Sequence, residues 1–160
     1  MFRKILYPTD FSENSVRAMA YAVKMSQANN AELIILYTYR LINNGDSDDV
    51  SHRNNLAEMG RSEFEKVDNG FLKSSGVNYS FLSEVGFIVD RILANTIENK
   101  VDLVILCDDV NKKIEHKSEK GQQKLLKRIG CPVMLVPEVM PGEEGPTVSS
   151  NGRAHVDSKN

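Results

Sequence analysis

Two cysteines in 160 residues, Cys107 and Cys131, are too few for a disulfide framework. Both adjoin apolar, strand-like runs, where cysteine behaves as a small hydrophobe, so both are expected to be reduced. An excess of charge of one sign is also missing, because 20 basic against 22 acidic residues leave a formal net charge of −2. That balance offers no electrostatic footprint for nucleic acid or for an anionic membrane surface. No apolar run is long enough to span a bilayer, and the stretch after Arg3 and Lys4 is too short before Pro8 to be a signal peptide. The expected location is the cytoplasm. Gly-x-Ser-x-Gly does not occur, which removes the nucleophile elbow. His52, His116 and His155 stand in polar segments, with no two at the i, i+4 spacing of a helical metal pair. No metal site and no enzymatic activity are expected.

The residues present describe one domain with a sizeable core, since hydrophobic residues make up 41% of the chain. Ile5 to Tyr7 is a short buried run ending at Pro8, and from Ser12 onward Val16, Met19, Ala20 and Val23 recur at helical spacing. Leu33 to Leu36 is a second continuous run. Asn43 to Asn55 is polar and aperiodic and reads as a loop, after which Leu56, Met59, Phe64, Val67 and Phe71 mark an amphipathic helix. Val77, Tyr79 and Phe81 alternate with Asn78 and Ser80, as in a partly covered edge strand. Val89, Leu93 and Ile97 mark a third helix, Leu103 to Leu106 a buried strand, Leu125, Leu126 and Ile129 a short helix, and Pro132 to Val136 a last strand. Strands alternating with helices demand parallel pairing, because each helix is a crossover, and continuous apolar strands demand cover on both faces. The fold class is an open, doubly wound α/β sheet. A domain over 1–138 is followed, over 139–160, by a stretch rich in Gly, Pro, Ser and Asn, which is expected to be a disordered tail.

The string RKILYPTDFSENS, Arg3 to Ser15, resembles the opening of the universal stress protein family, and AELIILYTY, VGFIVDRILANTIENKVDLVIL and CPVMLVPE continue the resemblance in order. The fold it implies is a Rossmann-like, adenine nucleotide alpha hydrolase-like sheet of five parallel strands in the order 3-2-1-4-5. In such sheets ligands sit at the carboxyl ends of the strands where the order reverses, here after the first and fourth strands. The resemblance places a residual nucleotide pocket at Pro8, Thr9, Asp10, Thr38, Cys107 and Asp108.

Family members that bind ATP follow strand 4 with Gly-x-x-Gly, about nine residues, and then Gly with Ser or Thr, so that bare main-chain N–H groups wrap the phosphates. Here the first glycine positions fall on Cys107 and Val110 and the last pair on Glu119 and Lys120; a slide that uses Gly121 moves the others to Asp108 and Asn111. Every register loses the glycine pair. Asp10, Asp108 and Asp109 add like charge where a triphosphate would lie, at a cost of about 3 kcal/mol for a pair roughly 5 Å apart. Lys112, Lys113, Lys117 and Lys120 alternate with acidic residues and read as a solvated face. Thr9, Asp10 and Ser12 also suit a plain strand-to-helix turn, with Asp10 or Ser12 as the helix cap.

These features lead to the expectation of a non-enzymatic stress-response protein of the branch that does not bind ATP, without cofactor and acting through protein partners. The alternative is a degenerate sensor that binds ATP or AMP weakly through Asp10 and the lysine-rich segment. In the implied strand order the last strand is an edge, and the apolar run within Cys131 to Val136 makes it the expected seam of a homodimer.

Overall fold

A computed structural model describes residues 1–41, 49–117, 120–138, 147–148 and 154–155. The apolar runs become β1 (Lys4–Thr9), β2 (Glu32–Tyr39), β3 (Tyr79–Val85), β4 (Leu103–Cys107) and β5 (Val133–Val136). All neighbours pair in parallel, in the order β3-β2-β1-β4-β5. Every residue of β4 and all but the first of β1 are buried, which is why these runs lack alternation. The edge strand β3 is only half-buried along most of its length, matching its mixed Asn-Tyr-Ser-Phe pattern.

Flanking the sheet are α1 (Glu13–Asn29), α2 (Asp49–Val67), α3 (Ile88–Glu98), α4 (Asp108–Lys117) and α5 (Gly121–Arg128), with a π-helical turn, Asp68–Leu72, continuing α2. Three sequence expectations are corrected. The polar segment expected to be a loop to Asn55 is helical from Asp49, since two exposed turns need no apolar stripe when the rest of α2 is anchored. The lysine-rich segment after Cys107, to which no helix was assigned from the sequence, is the helix α4, docked by Val110 and Ile114, both almost fully buried. In α3 the buried positions are Val89, Ile92 and Asn95, while Ile97 is 80% exposed.

Pro8 belongs to β1, a central strand, where a missing N–H would ordinarily cost a ladder bond. Alternate β1 residues address opposite neighbours: the Arg3 carbonyl accepts from Glu32 of β2 at 2.9 Å, and the Lys4 carbonyl from Asp102 beside β4 at 3.0 Å. By that alternation Pro8 faces β4. The ladder to β4 ends at Leu6 opposite Val104, whereas the ladder to β2 continues to Thr9 opposite Tyr37. Proline therefore lies beyond the last paired residue of that ladder, so its missing N–H interrupts no bridge within it. At the other end of the strand Asp102 holds β1 and β4 together, its carboxylate accepting the Arg3 N–H at 2.9 Å and the Lys4 N–H at 3.1 Å.

The tail expected over 139–160 lies almost wholly outside the described residues; within it Thr147–Val148 and Ala154–His155 pair as short antiparallel strands. Both cysteines are free. Among the described residues no helix is long and apolar enough to cross a membrane.

Candidate functional site

The crevice at the carboxyl ends of the strands is an open cleft of about 880 Å³. Of the six residues expected there, Thr9, Asp10 and Thr38 line it. The other three do not. Pro8 is buried within β1, Cys107 is buried at the end of β4 with its thiol pKa pushed up by burial, and Asp108 opens α4 with its carboxylate 2.6 Å from Lys112. A buried, protonated thiol in that position is a packing group and not a nucleophile.

The turn from β1 into α1 uses its polar atoms internally. The Thr9 hydroxyl lies 2.7 Å from the Ser15 hydroxyl and accepts the Phe11 N–H at 3.0 Å. Ser12 caps α1, its oxygen accepting from the Ser15 N–H, and the same hydroxyl donates to Asp109 at 2.8 Å. Asp10 accepts the Ser12 N–H at 2.9 Å and is ion-paired with Lys113. Burial alone would raise the Asp10 carboxyl, but Lys113 and the Ser12 amide more than offset it and hold the pKa below the usual carboxylate value. Phe11 completes the turn in the left-handed region at φ 57°, held by its ring against Tyr37 and Phe81. The cap role and the cleft-lining role thus coexist, and Lys113, read from sequence as solvated surface, reaches across from α4 to neutralise Asp10.

Helix α4 occupies the place of a phosphate loop. Its Val110 and Ile114 form part of the cleft lining, and Asp108 and Asp109 fill its first turn. Those carboxylates already supply the negative charge that a helix N-terminus favours, leaving little for a bound phosphate to gain there. Gly121, the one glycine in this region, opens α5 and meets α4 closely: a Cβ there would lie 2.4 Å from the Ile114 carbonyl oxygen. It is a packing glycine.

The opposite wall was not anticipated from sequence. It comprises Tyr39 and Arg40 at the end of β2 and the turn Gly86 to Asp90 entering α3. Gly86, at φ 141°, donates its N–H to the Tyr39 carbonyl at 3.0 Å, which lays this turn over the end of β2. The Arg40 guanidinium then stacks over the Phe87 ring at 4.7 Å, and Lys124 of α5 pairs with Asp90 at 2.7 Å. Only the sheet order brings these segments together, although a glycine directly after β3 was a visible sign of a close turn.

A family model, described as the universal stress protein family, matches residues 1–137. The chain belongs to that family. Solved universal stress proteins share its fold at low identity. One from Burkholderia pseudomallei is 18% identical with a TM-score of 0.65, the match covering 84% of this chain and 95% of that one. A universal stress protein in complex with cAMP is 22% identical with a TM-score of 0.58, covering 84% and 96%. Another, from Archaeoglobus fulgidus in complex with dAMP, is 10% identical with a TM-score of 0.53, covering 84% and 97%. Among curated proteins, none matches the chain.

Proposed function

We propose that this universal stress protein is a non-catalytic cytoplasmic protein of the stress response, acting as a homodimer through protein contacts and taking up no ATP. One observation carries the reading: β4 runs directly into α4, so in place of a glycine-rich loop able to wrap a triphosphate stands a helix whose first turn already carries two carboxylates, Asp108 and Asp109. A cradle of this kind depends on main-chain geometry more than on lysine charge. The Asp10–Lys113 pair further ties up one carboxylate and one cation at the cleft.

A second reading is favoured by the cleft itself, which stays open around Thr9, Asp10 and Thr38, and by the cAMP and dAMP held by two structural neighbours. It makes the protein a weak sensor of ATP or AMP. The purified protein, denatured and its supernatant run on an ion-exchange column, is expected to release no nucleotide; stoichiometric ATP or AMP would overturn the first reading. Calorimetric titration with AMP separates the two further. A sensor loses affinity in Asp10→Ala, whereas a protein without a nucleotide site shows no saturable heat in wild type or variant.

A further inference from the structure

The residues that line the cleft have a charge balance and a surface of their own. Phe87, Ile88, Val89, Val110 and Ile114 give it an apolar wall, and its ionisable groups are two carboxylates, Asp10 and Asp90, and three cations, Arg40, Lys113 and Lys124. Lys113 is paired with Asp10 and Lys124 with Asp90. Among the described residues Arg40 has no carboxylate partner, and its guanidinium instead rests on the ring of Phe87, itself 54% exposed. Among the described residues the cleft lining therefore carries one more cation than carboxylates, and the extra charge is on a planar, bidentate donor set beside an aromatic ring.

We propose that the cleft is a binding site for a small monoanion with a flat apolar body, of the aromatic carboxylate class. The ring packs along the Phe87 and Val110 sides, and the carboxylate takes two N–H donors from Arg40. A planar guanidinium matches a carboxylate in this way, while an ammonium does not. The cleft, at about 880 Å³, has ample room for such a molecule. A polyphosphate does not match the balance: its added charges would meet Asp10 and Asp90 after exhausting Arg40. The inference rests on the reading that the site has no phosphate loop, and it names what takes the nucleotide's place.

The test uses naphthalene carboxylate, its neutral carboxamide and ATP, each titrated into the full chain by calorimetry and ligand-observed NMR. The carboxylate is expected to bind saturably at one site per chain, with the carboxamide weaker by about tenfold or more, as the loss of a charge-assisted contact implies. Arg40→Gln, an exposed substitution whose fold is checked by circular dichroism, is expected to weaken the carboxylate by a similar factor and leave the carboxamide unchanged. Absence of saturable carboxylate binding overturns the proposal, as does equal binding of acid and amide or an Arg40→Gln variant that binds the acid like wild type. The ATP arm is independent: tight ATP binding overturns the reading that the site has no phosphate loop and takes up no ATP, whereas silence from both ATP and the carboxylate overturns this inference alone.

Discussion

Asp10 serves two neighbours at once, accepting the amide that turns the chain into α1 and facing the ammonium that arrives from α4. Its folded pKa is depressed, so the stability it contributes is present above the ordinary carboxylate value, about 4, and is lost as the pH falls through the lower folded one. Asp10→Asn is therefore expected to be less stable than wild type at neutral pH by on the order of 1 kcal/mol or less, because Lys113 is largely exposed and its pairing is screened. Urea unfolding should show the deficit shrinking towards pH 3, and an equal deficit at both pH values would remove the ion pair from the account. Lys113→Met should raise the Asp10 pKa, read by NMR titration of its carboxyl carbon. At this scale the sequence was informative where chemistry is local. Thr9, Asp10 and Ser12 follow a buried run directly, and polar side chains in that position bond to the next few amides. It was silent on Lys113, since nothing near that residue in the chain announces a partner in the turn between β1 and α1. Arg40 and Phe87 were equally hidden, because they are joined only through the Gly86 turn.

Elements with a full apolar stripe or an unbroken apolar run were legible, and those with half a stripe were not. β1, β2 and β4 could be read because burial on both faces forces continuous apolar runs, and the edge strand β3 because its half-covered face leaves an alternating pattern. Helix α4 could not, because DDVNKKIEHK carries just Val110 and Ile114 on its inner face, one contact per turn. Burying those two side chains is worth about 1.5–3 kcal/mol each, enough to hold a short helix to the sheet but too sparse a signal to separate from a polar loop. The junction between α4 and α5 is tight at Gly121. Gly121→Ala sets a methyl against the Ile114 carbonyl oxygen, a backbone atom that cannot rotate aside. The overlap should outweigh the better helix propensity of alanine, roughly 1 kcal/mol, and lower stability by about 1–3 kcal/mol. Thermal unfolding of the variant checks this, and a stability equal to or above wild type would show that α5 shifts freely against α4.

For the molecule as a whole, the two edges of the sheet are unequal. β3 is only half-buried, with Asn78 just before it and Ser80 within it, whereas β5 presents Val133, Met134 and Leu135 beside a backbone edge that no other described strand pairs, with Leu135 53% exposed. The proposed dimer joins β5 of one protomer to β5 of its partner about a twofold axis, which makes the pairing antiparallel. Leu135→Lys is the informative variant, because Val136 is buried within the protomer and altering it would disturb folding as well as assembly. Light scattering is expected to give a dimer for wild type and a folded monomer for Leu135→Lys; a wild-type monomer at about 10 µM, an ordinary working concentration for a modest interface, would refute the seam. The strand order also sets a schedule for synthesis. β1 leaves the ribosome first yet lies in the middle of the sheet, and the carboxylate that clasps its first amides, Asp102, is 99 residues downstream of Arg3. At about 5–20 residues per second the nascent strand waits roughly 5–20 s with its β4 flank open. Throughout that interval the buried run from Ile5 to Pro8 has one flank uncovered, so the growing chain is expected to be most prone to pairing with the wrong strand in the seconds before β4 emerges.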